Sequence, residues 1–294
     1  MVSVPVPVAR TATAPLAELP AEALAELEQA WLALERPSLA AQLSSILGAP
    51  LERMLRLLPA GWSTALRGAA EAAVVRAYDL AARTLDAGGP AGGPTGHRLA
   101  AAGAGALGGF FGLPALLVEL PATTLLMMRA IADAARAEGE DPASPRTRLA
   151  CVEVFALGGR SRADDHAELG YYELRLGLAW QFTRVPALEA GAAPALPQPI
   201  GLLRAIGARF GVVVTDKAAA QAVPVLGAIA GAAVNTLFMD HFLTVARGHF
   251  TVRRLERTWG RAAVEAAYRA IGARYGTPRP LSAARPRRRN RRAT

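Results

Sequence analysis

Two side chains that could take part in catalysis flank the two long uncharged segments of the chain. Glu119 directly follows the uncharged residues 99–118, and Lys217, the only lysine, directly precedes the uncharged residues 218–239. A carboxyl group can act as a general acid or base. An amine among apolar residues can have a lowered pKa and act as a base or nucleophile. If the two segments pack together, a polar pocket between them would suit a hydrolase acting on lipid or peptide.

The same residues also have a structural explanation. Pro121 is a residue typical of the first turn of a helix, and Glu119 just before it would offset the positive end of the helix dipole. Thr123 and Thr124 could then satisfy free backbone N–H groups. Lys217 would only mark the end of an apolar segment. Both explanations remain open at this point.

Three further polar residues are candidates for a network around these two. Arg129 and Asp133 are four residues apart on one predicted helix face, which gives an ion pair on a surface or a polar network if they are buried. Asn235 lies within an uncharged segment and needs a hydrogen-bond partner if it is buried. We expect that partner on another helix.

The histidines do not form a metal-binding pattern. The run 164–168 offers acidic side chains and a histidine, but neighbouring residues on a helix point in different directions. His241 and His249 are eight residues apart, about 12 Å along a helix, which is too far for one ion. Sequence motifs for zinc, nucleotides and nucleophile elbows are absent. We therefore expect no metal and no cofactor.

Apolar residues recur at helical spacing through most of the chain, and no alternating strand pattern extends beyond 212–215. The pattern predicts an all-α fold, a single multi-helix bundle with two central apolar helices rich in glycine and alanine. Besides the uncharged segments, helices are predicted over 21–36, 39–47, 51–58, 62–85, 122–138, 146–157, 163–182, 200–214, 241–258 and 261–275.

Composition divides the chain into three parts. Residues 1–20 contain four prolines and form a flexible leader, 21–278 form the helical domain, and 279–294 form a disordered basic tail. Hydrophobic residues make up 52% of the chain and charged residues 19%, which excludes global disorder. The single cysteine excludes an intrachain disulfide.

The net charge of +9 comes mainly from the tail, in which six of the last ten residues are arginine. Such a tail binds polyanions, including anionic lipid, without specificity. We expect no specific nucleic-acid binding, because no recognition helix combines basic and aromatic side chains. The candidate contacts with membrane or polyanion are Arg287, Arg288, Arg289, Arg291 and Arg292.

The two uncharged segments can be interpreted in two ways. Each is long enough to cross a hydrocarbon core of about 30 Å. Gly227 and Gly231 form a G-x-x-x-G pattern, and Gly105, Gly109 and Gly112 share one side of the first segment, as in closely packed membrane helices. Alternatively, both are helices at the centre of a bundle, apolar on all sides because they are buried on all sides.

Several separate blocks of the sequence resemble the EcsC family of bacterial proteins. They are ELPATTLLMMRAIAD at 119–133, RLACVEVFALGG at 148–159 and PVLGAIAGAAVN at 224–235. Shorter similar blocks are GGFFGLP at 108–114, KAAAQ at 217–221, and Tyr171-Tyr172 followed by Arg175. The resemblance extends over about residues 38 to 275.

The resemblance implies a setting more than a reaction. Founding members of the family are encoded beside an ABC transporter, which implies an intracellular bacterial protein linked to the membrane. All seven candidate polar residues fall in or next to family motifs, which strengthens them as site residues. We expect a non-enzymatic accessory protein at the cytoplasmic membrane face, contacting the membrane surface or a membrane protein, such as an ABC transporter. The alternative is a hydrolase-type enzyme using Glu119 and Lys217.

Overall fold

Helices account for the regular structure of the described residues. The computed structural model describes residues 19–35, 39, 42–44, 51–84, 96, 99–100, 102–103, 113–158, 170–183, 200–221 and 227–275, and these contain no strand. In chain order the helices are α1 (Ala21–Glu35), α2 (Leu51–Leu55), α3 (Trp62–Thr84), α4 (Leu113–Ala137), α5 (Pro145–Leu157), α6 (Tyr171–Thr183), α7 (Ile200–Gln221), α8 (Gly227–Trp259) and α9 (Arg261–Tyr275). The prediction of an all-α bundle is confirmed for these residues.

Helix α8 is the longest, and α1, α4, α5, α7 and α9 pack against it. Its 33 residues give it a length of about 50 Å. Aromatic side chains fill its contacts near the middle. The ring of Phe242 lies 5.6 Å from the rings of both Phe155 in α5 and Phe210 in α7. One hydrophobic core therefore joins α5, α7 and α8.

Helices α3 and α7 run antiparallel and approach closely at two glycines. A Cβ atom added to Gly207 would lie 2.6 Å from the Cα atom of Glu71. One added to Gly211 would lie 3.0 Å from the Cα atom of Arg67. Because the two pairs run in opposite order along the chain, the start of α3 lies beside the end of α7.

Helices α4 and α8 run parallel. Glu119 near the start of α4 accepts a hydrogen bond from Asn235 near the start of α8, at 2.9 Å. Glu138, just after α4, accepts a hydrogen bond from Arg254 near the end of α8, at 2.6 Å. The first turns of α4 and α8 therefore lie at the same end of the bundle.

Helix α7 runs antiparallel to α8. The ammonium of Lys217 faces the ring of Phe238, whereas Phe210, two turns earlier in α7, packs against Phe242, one turn later in α8. The last turns of α7 thus lie beside the first turns of α8. Since α3 is antiparallel to α7, one end of the bundle combines the starts of α3, α4 and α8 with the end of α7.

Proline 121 does not begin a helix, contrary to the prediction from sequence. Helix α4 begins at Leu113 and continues through Pro121 to Ala137. The buried face of α4 continues across the proline without interruption, since Leu116, Leu120 and Met127 are all buried. Tertiary packing of this face outweighs the local cost of an interior proline, about 3 kcal/mol.

The two uncharged segments are not two separate helices over their described parts. Residues 113–118 form the first turns of α4. Residues 218–221 complete α7, and residues 227–239 begin α8. Most of 99–112, including Gly105, Gly109 and Gly112, lies outside the described residues. The predicted leader, apart from residues 19–20, and the predicted tail also lie outside them.

Candidate functional site

Glu119, Lys217 and Asn235 meet where α4, α7 and α8 come together, and we call them the Glu119 cluster. The Nζ atom of Lys217 lies 3.2 Å from Oε1 of Glu119. The Nδ2 atom of Asn235 donates to the same oxygen at 2.9 Å. Glu119 and Lys217 are thus within the distance that a shared pocket requires, and Asn235 has a partner on another helix.

Burial and the Glu119 carboxylate shift the pKa of the Lys217 amine in opposite directions. Its side chain is 0% exposed, and that of Glu119 is 9% exposed. Burial lowers the pKa of the Lys217 amine below its usual value, while the charge and the hydrogen bond of Glu119 oppose this shift. The Nζ atom also lies 5.2 Å from the centre of the Phe238 ring, which favours the cation.

The second carboxylate oxygen of Glu119 differs from the first in its hydrogen bonding. Oε2 is buried and has no hydrogen-bond partner among the described residues. A buried acceptor without a partner costs about 1–3 kcal/mol. The cluster therefore keeps one acceptor free for a donor group, which is the feature most favourable to a chemical role.

A small cleft lies beside the cluster. Its empty volume is about 200 Å³ with open solvent included, so the space that it encloses lies well below the roughly 300–1,000 Å³ of sites for drug-sized ligands. Neither Glu119 nor Lys217 lines the cleft. The lining residues are Thr123, Leu126, Met127, Asn235, Phe238 and Met239.

Thr123 and Thr124 do not cap the start of a helix, contrary to the structural explanation given above. Both are buried inside α4 and donate their hydroxyl hydrogens to backbone carbonyls. Thr124 Oγ1 donates to the carbonyl of Leu120 at 2.7 Å, and Thr123 Oγ1 reaches the carbonyls of Glu119 and Leu120 at 3.2 Å. Both threonines lie in the interior of α4 rather than at its start, so their hydroxyls bond carbonyls of the preceding turn instead of free N–H groups.

Neither Arg129 nor Asp133 is buried in the core. Arg129 is exposed, and Asp133 accepts a hydrogen bond from Arg136 at 2.6 Å, one turn further along α4. The alternative of a buried network formed by Arg129 and Asp133 is therefore not what the structure has. An exposed pair of this kind contributes little to stability.

Beyond the cluster, the end of the bundle carries no charge on its three converging helices. We call residues 113–118, 218–221 and 227–234 the uncharged end. Its described side chains are mostly buried, including Leu116, Ala219 and Val234. In the part of the chain that the structure describes, no helix has the length and apolar character needed to cross a membrane.

The opposite end of α8 is densely charged. Glu140 is 5% exposed and accepts two hydrogen bonds from Arg253, at 2.6 and 2.8 Å, and one from Arg257 at 2.6 Å. Thr147 donates to the same carboxylate at 3.0 Å. Burial alone would raise the pKa of Glu140, but the hydrogen bonds and charges of the arginines hold it below its usual value.

A second polar group missed by sequence analysis joins α6 to α8. Glu256 accepts hydrogen bonds from Arg175 at 2.9 and 3.2 Å and from the hydroxyl of Tyr172 at 3.0 Å. The hydroxyl of Tyr171 lies 2.9 Å from Nδ1 of His249. The family motif Tyr171-Tyr172 and Arg175 was the only sequence signal for this group, since Glu256 is 81 residues away from Arg175.

His241 and His249 are both buried in the helical core. His241 is buried, and its Nε2 atom lies 2.8 Å from the carbonyl of Gly158. Burial, followed by the charges of Arg175 and Arg253, lowers the pKa of His249 well below its usual value. No group of three His, Cys, Asp or Glu side chains that could hold a metal ion occurs among the described residues.

The tail arginines and residues 164–168 lie outside the described residues, so their contacts stay predictions. The described candidates separate into a buried cluster of Glu119, Lys217 and Asn235, two internally bonded threonines, and two residues of α4 that are not buried.

Comparison with known proteins identifies a family. The family model described as the EcsC protein family matches residues 94–255, which is more than half of the 294-residue chain. No curated protein and no solved structure matches the chain. The matched range contains all three residues of the Glu119 cluster.

Proposed function

Because the chain belongs to the EcsC protein family, we propose that it is a non-enzymatic accessory protein acting at the cytoplasmic face of the bacterial membrane. Its uncharged end would be directed towards the bilayer or a membrane protein, such as an ABC transporter. The tail arginines Arg287, Arg288, Arg289, Arg291 and Arg292 would be held by anionic lipid.

The observation that carries this proposal is the uneven distribution of charge along the bundle. The starts of α4 and α8 and the end of α7 contribute no charged residue beyond the Glu119 cluster. At the other end, Glu138 and Glu140 bind Arg253, Arg254 and Arg257. Helix ends without charges lose little hydration energy when they approach lipid or an apolar partner.

The burial of Lys217 supports an accessory role over an enzymatic one. With a side chain that is 0% exposed, its amine contacts Glu119 and the Phe238 ring rather than an open pocket. The adjacent cleft is smaller than ordinary ligand sites. The cluster therefore serves to hold α4, α7 and α8 together at the uncharged end.

Vesicle flotation tests the proposal. The full chain and a chain ending at residue 284 are mixed with vesicles of phosphatidylethanolamine and phosphatidylglycerol and centrifuged through a density gradient. We expect both proteins to rise with the vesicles, and the shortened chain to bind more weakly because it lacks six positive charges.

Two results would count against the proposal. If both proteins stay at the bottom of the gradient and also fail to co-sediment with bacterial membranes, the membrane role is wrong. If only the full chain binds, the tail alone contacts lipid and the uncharged end has no part in it.

A hydrolase-type enzyme is the second candidate function, favoured by the 3.2 Å distance between Lys217 and Glu119 and by the free Oε2 atom. Opening of the uncharged end would expose both groups to a lipid or peptide substrate. Its test is a panel of chromogenic esters and peptides in the presence of vesicles, comparing the natural chain with Glu119→Gln. Equal turnover by the two proteins would remove Glu119 from catalysis.

A further inference from the structure

The turn between α2 and α3 combines exposed apolar and basic side chains. Leu57 is 51% exposed, and Arg53 and Arg56 on either side of Met54 and Leu55 are exposed as well. Trp62, the first residue of α3, is half-buried. We call Arg53, Arg56, Leu57 and Trp62 the basic corner.

The basic corner lies at the same end of the bundle as the uncharged end. Arg67 faces Gly211, and α3 and α7 are antiparallel, so Trp62 at the start of α3 lies level with the last turns of α7. The distance along α7 from Gly211 to the last residue, Gln221, is about 15 Å. Helix α2 also packs against α7. The corner is therefore beside the end that carries no charge on α4, α7 and α8.

The two arginines of the corner have no ion-pair or hydrogen-bond partner among the residues that the structure describes. The arginines near the end of α8 differ from Arg53 and Arg56. Arg253, Arg254 and Arg257 are all paired with glutamates. Unpaired guanidinium groups present their full charge to an external anion.

The chemistry of the basic corner matches the surface of an anionic bilayer. Guanidinium groups bind phosphate of lipid headgroups. An exposed leucine inserts among acyl chains, and tryptophan is enriched at the level of the headgroups. A free phosphate would use the two arginines but would have no use for the exposed leucine.

We propose that Arg53 and Arg56 bind the phosphates of anionic phospholipids while Leu57 enters the bilayer interface. This inference rests on the proposed membrane role and names the lipid class and the residues that recognise it. The corner and the tail would then be two separate anionic-lipid contacts, one in the folded domain and one outside it.

The test measures partition onto vesicles for three full-length proteins, each keeping the tail so that its contribution cancels in the ratios. They are the natural chain, R53Q/R56Q and R76Q/R204Q. Arg76 and Arg204 are a matched control, because both are exposed, neither has a partner among the described residues, and both lie towards the opposite end of α3 and α7. Vesicles contain phosphatidylglycerol in phosphatidylcholine, or phosphatidylcholine alone.

We expect R53Q/R56Q to lower partition onto anionic vesicles roughly thirty-fold, since each arginine near an anionic surface contributes roughly a factor of five. The control R76Q/R204Q should stay within about two-fold of the natural chain. On phosphatidylcholine alone the three proteins should differ by less than about two-fold.

The outcomes separate the two proposals. Equal losses in both variants, or no loss in R53Q/R56Q, overturn the basic corner and leave the membrane role in place. Binding to bacterial membranes but not to protein-free vesicles also overturns it, and points to a membrane protein as the partner. If the natural chain binds neither, the membrane role itself fails and the basic corner fails with it.

Discussion

The amine of Lys217 lies 3.2 Å from the carboxylate of Glu119, although 98 residues separate them in the chain. Their contact fixes the end of α7 against the start of α4, and Asn235 adds the start of α8 through the same oxygen. The charged pair therefore lies immediately inside the uncharged end and sets the arrangement of its three helices.

Replacing Lys217 by methionine should strongly destabilise the protein. The methionine fills a similar volume but leaves the buried Glu119 carboxylate without its positive partner. Breaking a buried ion pair in this way typically costs about 3–5 kcal/mol. Urea unfolding followed by circular dichroism measures the change.

The double variant E119L/K217M is the control for this interpretation. With both charges removed, much of the lost stability should return, because buried ion pairs are often replaceable by apolar side chains. A K217M variant that loses less than about 1 kcal/mol, or a double variant less stable than both single variants, would contradict the buried pair.

Adding one methyl group at Gly207 should destabilise the contact of α3 with α7. The new Cβ atom would lie 2.6 Å from a backbone atom of Glu71, so the helices must separate. We expect G207A to lose about 1–3 kcal/mol. In contrast, Gly68 is an exposed position of α3 with open space around it, and G68A should gain up to about 1 kcal/mol. Thermal unfolding of the two variants compares them, and equal shifts would argue against close packing at Gly207.

Glu140 should make stability depend on pH in acid. Because its pKa is held below the usual 4.5, its contribution is complete above pH 4.5 and is lost as the pH falls through the lower folded value. The variant E140Q should be about 3–5 kcal/mol less stable at neutral pH, since Arg253 loses its buried partner. Its stability should then fall less steeply below pH 4.5, by up to about 1.4 kcal/mol per pH unit.

The exposed Glu22 lies in the first turn of α1 and provides a control for the loss of a carboxylate at neutral pH. The variant E22Q should lose no more than about 1 kcal/mol, the contribution of an acid at the start of a helix. A slope for E140Q as steep as that of the natural chain would show that other carboxylates carry the acid sensitivity.

The sequence predicts helix ends correctly where a glycine, a proline or polar residues stand at the point where the helix leaves the core. The predicted helices at 21–36, 62–85 and 261–275 agree with α1, α3 and α9 within one residue at each end. Gly260, which has φ +85 between α8 and α9, marks a break that only glycine makes easily. These boundaries depend on local preferences that a sequence carries directly.

Boundaries inside apolar stretches could not be predicted in this way. The absence of charge predicts that 218–239 is one unit, yet the structure divides it between α7 and α8. The proline predicts a helix start, yet α4 passes through Pro121. A proline or a change of charge predicts an interruption only when tertiary packing does not outweigh it. Here the continuous buried face of α4 does outweigh it.

The sequence identifies the residues of the Glu119 cluster but not the ion pairs at the other end of the bundle. Glu119, Lys217 and Asn235 stood out as polar residues bordering or interrupting apolar segments. The pairing of Glu140 with Arg253 and Arg257 was not predictable, because 113 and 117 residues separate the partners and ordinary surface charges have the same sequence pattern.

The most direct test of the membrane-facing end uses a polarity-sensitive fluorophore attached to a cysteine at position 57 or, as a control, at position 80. Leu57 and Leu80 are 51% and 40% exposed and lie towards opposite ends of the α3–α7 pair. The natural Cys151 does not compete for the label, because it is fully buried and burial raises the pKa of its thiol. On adding vesicles that contain phosphatidylglycerol, we expect a blue shift of the fluorophore emission for L57C and none for L80C. No shift at position 57, or equal shifts at both positions, would contradict the proposed membrane-facing end.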